Sequence, residues 1–225
     1  MAMSSTTGGK ATQGKRSPKG PRPTKPSGPP LPLEFVQSAD RIGGLPVTDA
    51  EVAVVGRSNV GKSSLINALA NRRKLAHVSN TPGRTRLINL FRYLDKHPED
   101  RRAVVDLPGY GYASASKQMR ASWQAMIEGY LLERESLTMV MVLVDGVVGP
   151  TSLDQDMLHW LRANDLPHTV VATKHDKVKS SKRQRRKQDL AAGCQLDVGD
   201  IVWVSAHKGT GLERLRQLIN TWLTD

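Results

Sequence analysis

Apolar and polar positions alternate between two rhythms along most of this chain. Short apolar runs rich in valine and isoleucine occur at Val52–Val55, Leu87–Tyr93, Ala103–Asp106, Met139–Asp145, Thr169–Thr173 and Ile201–Ser205. Near-continuous runs of this length suit strands buried on both faces. Between most of them the apolar residues fall at helical spacing. Met119, Trp123, Met126, Ile127, Tyr130 and Leu131 make one such stripe, and Leu212, Leu215, Leu218, Ile219 and Trp222 another. These Met and Trp residues are read as core. Strands alternating with helices predict an α/β fold, a mostly parallel sheet with helices on both faces.

The first 32 residues break both rhythms. Gly, Pro, Ser, Thr and Lys dominate, and the apolar surface is too small to offset the entropy of ordering. The expected organisation is a disordered basic tail over residues 1–32 and one domain over 33–225. Lys10, Lys15, Arg16, Lys19, Arg22 and Lys25 precede the first acidic residue, Glu34, so the tail carries half of the formal net charge of +12. The folded body is therefore basic as well, which favours a polyanionic partner. Without an aromatic before Phe35, the tail offers no stacking platform for bases, only salt-sensitive attraction.

The 225 residues contain one cysteine, Cys194, which excludes an internal disulfide and suits a reducing compartment. No apolar run is long enough to cross a bilayer. The expectation is a cytoplasmic monomer with no membrane partner.

Specific chemistry enters at Gly56, Arg57, Ser58, Asn59, Val60, Gly61, Lys62 and Ser63, which fit the phosphate-loop pattern G-x-x-x-x-G-K-S/T in full. The apolar run before it and the amphipathic Ser64–Leu69 after it supply the strand–loop–helix setting the motif requires. Glycines let successive N–H groups turn toward phosphate oxygens, and the new helix adds its positive end. Lys62 is expected on the β- and γ-phosphates and Ser63 on Mg²⁺.

A phosphate loop alone leaves ATPases, kinases and GTPases open. Asp106, Leu107, Pro108 and Gly109 then end a strand in D-x-x-G: Asp106 could hold Mg²⁺ through water, and the Gly109 N–H could approach the γ-phosphate. Thr173, Lys174, His175 and Asp176 end another strand in T-K-x-D. The Asp176 carboxylate can accept from N1–H and the 2-amino group of guanine, donors that adenine lacks in that geometry. The Lys174 stem is expected along the base, Thr173 bracing the loop and His175 facing solvent. Val204, Ser205 and Ala206 would add a backbone N–H for the guanine carbonyl. Between these motifs, Gly83, Arg84, Thr85, Arg86 and Leu87 lie in a polar Gly/Pro-bearing segment suited to a loop that orders around γ-phosphate and Mg²⁺. Thr85 is the expected second hydroxyl on the metal, with Thr81 the competitor. Lys62, Thr85 and Gly109 are the candidate catalytic groups.

In order, G-R-S-N-V-G-K-S-S, T-P-G-R-T, D-L-P-G-Y-G-Y-A, T-K-H-D and V-S-A resemble the translation-factor-related GTPases, and within them the EngB (YihA/YsxC) family of bacterial ribosome-biogenesis GTP-binding proteins. The resemblance runs from about Phe35 to the C-terminus. It implies a Ras-like fold with a six-stranded sheet, one edge strand antiparallel. It also implies GTP and GDP binding with Mg²⁺, a role in large ribosomal subunit assembly, and a requirement in cell division and septation. The alternative is a guanine-nucleotide module acting at the division machinery without ribosome binding.

Ras-like enzymes place a Gln after D-x-x-G to orient the attacking water. Tyr110 stands there instead, which implies slow intrinsic hydrolysis completed by a partner, the ribosome or K⁺. Asn59 suggests the last, because similar loops in related GTPases help bind that ion. Tyr110 and Tyr112, among mobile glycines, could present themselves to a partner. Lys177, Lys179, Lys182, Arg183, Arg185, Arg186 and Lys187 follow the guanine reader as a one-signed cluster expected to contact RNA.

Overall fold

The valine-rich runs do become buried strands, and they assemble around the one that carries the phosphate loop. The computed structural model describes residue 1 and residues 28–77, 87–94, 101–111 and 117–224. Its strands are β1 (Leu33–Ala39), β2 (Ala50–Gly56), β3 (Ile88–Tyr93), β4 (Arg102–Asp106), β5 (Leu137–Asp145), β6 (His168–Thr173) and β7 (Val202–Trp203). The helices are α1 (Lys62–Leu69), α2 (Lys117–Glu133), α3 (Ser152–Ala163), α4 (Arg183–Cys194) and α5 (Leu212–Thr224). Strand order is β1-β3-β4-β2-β5-β6-β7.

The α/β class stands, with two refinements of the expected sheet. Seven strands are present among the described residues rather than six. The antiparallel strand is β3, which runs against both β1 and β4, so it lies one place in from the edge. β1 escaped sequence reading because Leu-Glu-Phe-Val-Gln-Ser-Ala alternates poorly: a bulge between Phe35 and Gln37 shifts its register on β3. The sequence reading ended the tail at Pro32, yet Leu31 is already buried and its N–H donates to the Leu69 carbonyl at 2.9 Å.

Alternate residues of the strands face opposite layers. Val52 and Val54 pack with Leu65, Ile66 and Leu69 of α1 and Leu212, Leu215 and Ile219 of α5. Ala53 and Val55 pack with Ile127 and Leu131 of α2, Leu158 and Leu161 of α3, and Leu190 of α4. Both faces of β2 are thus covered, which is why its sequence is apolar without a break. The buried Arg216 of α5 donates from Nε to the Leu69 carbonyl at 3.0 Å and from Nη2 to that of Ala68 at 2.9 Å, closing the last turn of α1.

β2 sits where the strand order reverses. Chain after it fills β4 and β3 on one side and β5, β6 and β7 on the other. In open parallel sheets the crevice beyond the strand C-termini at such a switch point is where ligands bind. No helix among the described residues is long and apolar enough to cross a membrane.

Candidate functional site

At the C-terminal end of β2 the chain leaves at Gly56, curls, and enters α1 at Lys62. Gly61 makes the curl with φ 115° and Asn59 with φ 61°, both in the left-handed region. For Gly61 the absence of a side chain removes the strain. The helix therefore begins with N–H groups that have no partner within it and point out of the loop. Lys62 is largely buried, and its Nζ reaches the Gly56 carbonyl only at 3.5 Å. A primary ammonium can donate three bonds, so this head has capacity to spare.

Two strands add acidic groups beside the loop. Asp106 ends β4 and is buried, and its Oδ1 has no hydrogen-bond partner. Burial pushes its carboxyl up to about 6, against the opposing pull of the Lys62 charge and a hydrogen bond from Asn89. A buried carboxylate with an orphaned oxygen invites a cation. The donors on offer, the Asp106 carboxylate and the Ser63 hydroxyl at the head of α1, suit Mg²⁺, which takes few protein ligands and completes its shell with phosphate and water. No cluster of three or more His, Cys, Asp or Glu suited to a metal occurs among the described residues.

On the other side of β2 the groups are paired. Asp145 ends β5 and accepts from Lys174 Nζ at 2.7 Å. It also accepts from the backbone N–H groups of Val147 at 2.9 Å and Val148 at 3.2 Å. Burial pushes its carboxyl up, but the Lys174 bond and the two backbone bonds outweigh burial and hold it below the usual carboxylate range. Lys174 Nζ also donates to the Asn59 carbonyl at 2.8 Å, and Thr173 Oγ1 to that of Val60 at 2.7 Å. Both bonds tie the T-K-x-D loop to the phosphate loop, so Thr173 braces as expected. Ser205 Oγ donates to Asp176 Oδ1 at 2.7 Å and accepts from the Lys208 N–H at 2.9 Å. Ser205 thus fixes the rotamer of Asp176, and the strand leading to it is shorter than the sequence suggested: β7 ends at Trp203.

His175 departs from expectation. It is half-buried rather than solvent-facing, edge-on to Trp203 with ring centroids 5.5 Å apart, and its Nδ1 is buried without a partner. Burial, then the charges of Arg183 and Lys187, lower its pKa. Of the basic cluster, Lys177, Lys179, Lys182, Arg183 and Arg185 project to solvent. Arg186 and Lys187 are half-buried, with Lys187 Nζ 5.6 Å from the Trp203 ring centroid.

Gly83, Arg84, Thr85 and Arg86, the competitor Thr81, and Tyr112 lie outside the described residues; Leu87 is described and exposed. Three polar contributors carried no motif signal: Asn89 on β3, Asp145 and Asp154. Asp145 had a readable cue, an acid closing an apolar strand. Asp154 had none.

A phosphate loop, a strand-end D-x-x-G and a strand-end T-K-x-D converging at the switch point of this sheet define a phosphate-loop GTPase fold. Comparison with known proteins agrees. The family described as 50S ribosome-binding GTPase matches residues 51–174. The probable GTP-binding protein EngB of Pelotomaculum thermopropionicum is 43% identical over 192 residues, 84% of this chain and 94% of that protein. Its counterpart in Thermotoga maritima is 44% identical over 195 residues, 86% and 97% of the two chains. A crystal structure of a probable GTP-binding protein EngB matches with a TM-score of 0.63 at 25% identity, covering 77% of this chain and 98% of that one. The chain belongs to the EngB family of GTP-binding proteins.

Proposed function

We propose that this GTP-binding protein is a slow, Mg²⁺-dependent GTPase that acts as a switch on the assembling large ribosomal subunit, in the cytoplasm and as a monomer. The roles follow the chemistry of the site. N–H groups of Gly56–Ser63 cradle the phosphates and Lys62 reaches the β- and γ-phosphates. Ser63, Asp106 through water and Thr85 hold the metal. When bound, Mg²⁺ neutralises charge on the β- and γ-phosphate oxygens. Asp176 reads guanine, with the backbone of Val204–Ala206 beside it.

The observation that carries slow turnover is the place of Tyr110. It takes the position where a glutamine would orient water, and its hydroxyl donates instead to Asp154 on α3, at 3.0 Å. Burial, then the Asp154 charge and this bond, push the phenol well above its usual pKa, so it is no base at neutral pH. Hydrolysis is then completed by the ribosome, a partner protein or K⁺ at Asn59. Unchanged turnover on ribosomal particles when Na⁺ replaces K⁺ would remove the ion from this reading.

Support for an RNA partner comes from the basic surface. Five cationic side chains between Lys177 and Arg185 are exposed beside the T-K-x-D loop, on a chain of net charge +12, with Arg183 Nε also donating to the Val178 carbonyl and Arg185 lying 4.0 Å from Asp189. The family's description as 50S ribosome-binding points to the large subunit. A requirement in cell division and septation would follow from failed ribosome supply. Co-sedimentation with separated subunits tests this, with the protein loaded with a non-hydrolysable GTP analogue, GDP or nothing. Large-subunit binding confined to the GTP-like state is expected. Binding that ignores nucleotide and vanishes in moderate salt would leave only non-specific attraction, and would favour a module acting at the division machinery.

A further inference from the structure

Asp154 lies in the first turn of α3, outside every nucleotide loop, yet its side chain is fully buried and accepts four hydrogen bonds. Two come from Thr151, whose backbone N–H and hydroxyl donate to Oδ2 at 2.9 and 2.8 Å; the backbone bond, with the Asp154 N–H on the Thr151 side chain, makes a helix capping box. A helix cap needs no more than these. The other two come from the nucleotide loops: Arg57 Nε donates to Oδ2 at 3.0 Å and the Tyr110 hydroxyl to Oδ1 at 3.0 Å. One carboxylate, held rigid by its own helix, therefore joins the second residue of the phosphate loop to the residue after D-x-x-G.

The backbones follow the side chains. Arg57 and Tyr110 form an isolated parallel bridge, and the Ser58 N–H donates to the Tyr110 carbonyl at 3.0 Å. The D-x-x-G turn is drawn onto the phosphate loop so closely that a Cβ on Gly109 would lie 3.0 Å from Lys62 Nζ and 3.1 Å from the Ser58 nitrogen. A larger residue there would have to push the Lys62 head or the Ser58 backbone aside by a few tenths of an ångström. If Lys62 and the Gly109 N–H share the γ-phosphate, as proposed above, that phosphate has to enter between them, and the tighter the two loops are held together the less room it finds. A diphosphate leaves them together.

We infer that Asp154 is a positioning residue that sets nucleotide preference, clasping Tyr110 and Arg57 so that the phosphate end closes in favour of GDP over GTP. The inference rests on the proposed assignment of Lys62 and Gly109 to the γ-phosphate. It also gives Tyr110 a role that a glutamine at this position would not fill in the same way: the phenol is long enough to reach α3 and offers one strong donor.

The test uses the full-length Tyr110→Phe and Asp154→Asn proteins and their double variant. Affinities for GDP and for a non-hydrolysable GTP analogue are measured by calorimetry with Mg²⁺, alongside thermal stability. Tyr110→Phe leaves the Thr151 and Arg57 bonds to Asp154 in place, so it keeps α3 capped if Asp154→Asn folds poorly. Each single variant is expected to move the GDP-to-GTP preference toward the triphosphate by about tenfold, the scale of one lost charge-assisted hydrogen bond. The double variant should move no further than Asp154→Asn alone, because both changes cut one link. Parallel weakening of both nucleotides, tracking a lower melting temperature, would reduce Asp154 to a helix cap and overturn the inference. So would additive shifts in the double variant. Lys62→Ala serves as the control: unchanged affinity for the triphosphate analogue there sinks the phosphate assignment itself, whereas a large loss there with an unmoved ratio in the Tyr110 and Asp154 variants sinks only the clasp.

Discussion

The two flanks of the phosphate loop are built to different standards. On the flank proposed to read the base, the polar groups lining the loop are paired: Asp145 with Lys174, Lys174 with the Asn59 carbonyl, Asp176 with Ser205, Thr173 with the Val60 carbonyl; the buried His175 Nδ1 and Trp203 Nε1 behind it are the exceptions. On the phosphate flank the buried Asp106 keeps an orphaned oxygen and Lys62 a bond at the outer limit of length. The contrast follows from what each flank must do. A base reader gains specificity by being rigid before the ligand arrives, so that the wrong base leaves polar groups unpaired. A phosphate and metal site has to stay incomplete, because the charge it lacks is the charge the ligand brings.

The largest expected break in this comparison is at Asp176. Asp176→Asn should lower affinity for guanine nucleotides by about 10⁴-fold and favour xanthine nucleotides, whose C2 carbonyl accepts from the new amide. Calorimetry with GDP and XDP reads it, and retained guanine preference would refute the assignment. Next comes Asp106. Asp106→Asn removes a buried carboxylate whose burial is only partly compensated. At pH 7.5 the nucleotide-free protein should gain up to about 3 kcal/mol of stability, the order implied by a carboxyl raised from 3.8 to about 6, less the amide's own desolvation. The same variant should lose the Mg²⁺ dependence of nucleotide binding. Denaturant melts with and without ligand separate the two effects, and a less stable nucleotide-free variant would contradict the picture of an incomplete site.

On the paired flank the sign reverses. Asp145→Ala leaves Lys174 without its carboxylate and frees the loop, so both stability and affinity should fall, affinity by about tenfold, for a partly exposed ion pair worth about 1 kcal/mol plus lost positioning. Unchanged GDP affinity would show that the Asn59 carbonyl alone positions Lys174. The smallest effect sharpens the role of His175. Its folded pKa lies below 6.5, so the unfolded chain takes up the proton first, and stability present above pH 6.5 is lost as pH falls through the folded value. His175→Gln should flatten the melting temperature between pH 7.5 and 5.5; an unaltered slope would place the titration elsewhere.

Reversing Lys177, Lys179, Lys182, Arg183 and Arg185 bears on the outer surface rather than the cleft. Weaker ribosome association with a shallower salt dependence is expected, and unchanged co-sedimentation would move the RNA contact elsewhere.

Much of this was legible in the order of residues. The strands from β2 to β6 were visible because burial on both faces demands unbroken apolar runs. The loops at their ends were visible because phosphate and guanine recognition fix residue type and spacing over four to eight consecutive positions, which a linear reading can see. β1 was not, since its bulge and half-exposed face erase the period. Nor was the network in which Arg134 of the α2–β5 connection and Tyr130 of α2 bond the buried Glu51, some eighty residues earlier in the chain.

The sequence by itself determined the fold class, the phosphate loop, the D-x-x-G and the T-K-x-D proposed to read guanine, because each is a local pattern set by backbone geometry and ligand chemistry. Only the tertiary structure decided which of their charges are paired and which wait for a ligand, that His175 packs inward on Trp203, and that Tyr110 is tied to α3. The long-range contacts among them join residues 28 to 115 positions apart. Packing of the helices onto the sheet creates such contacts, and no local spacing encodes them.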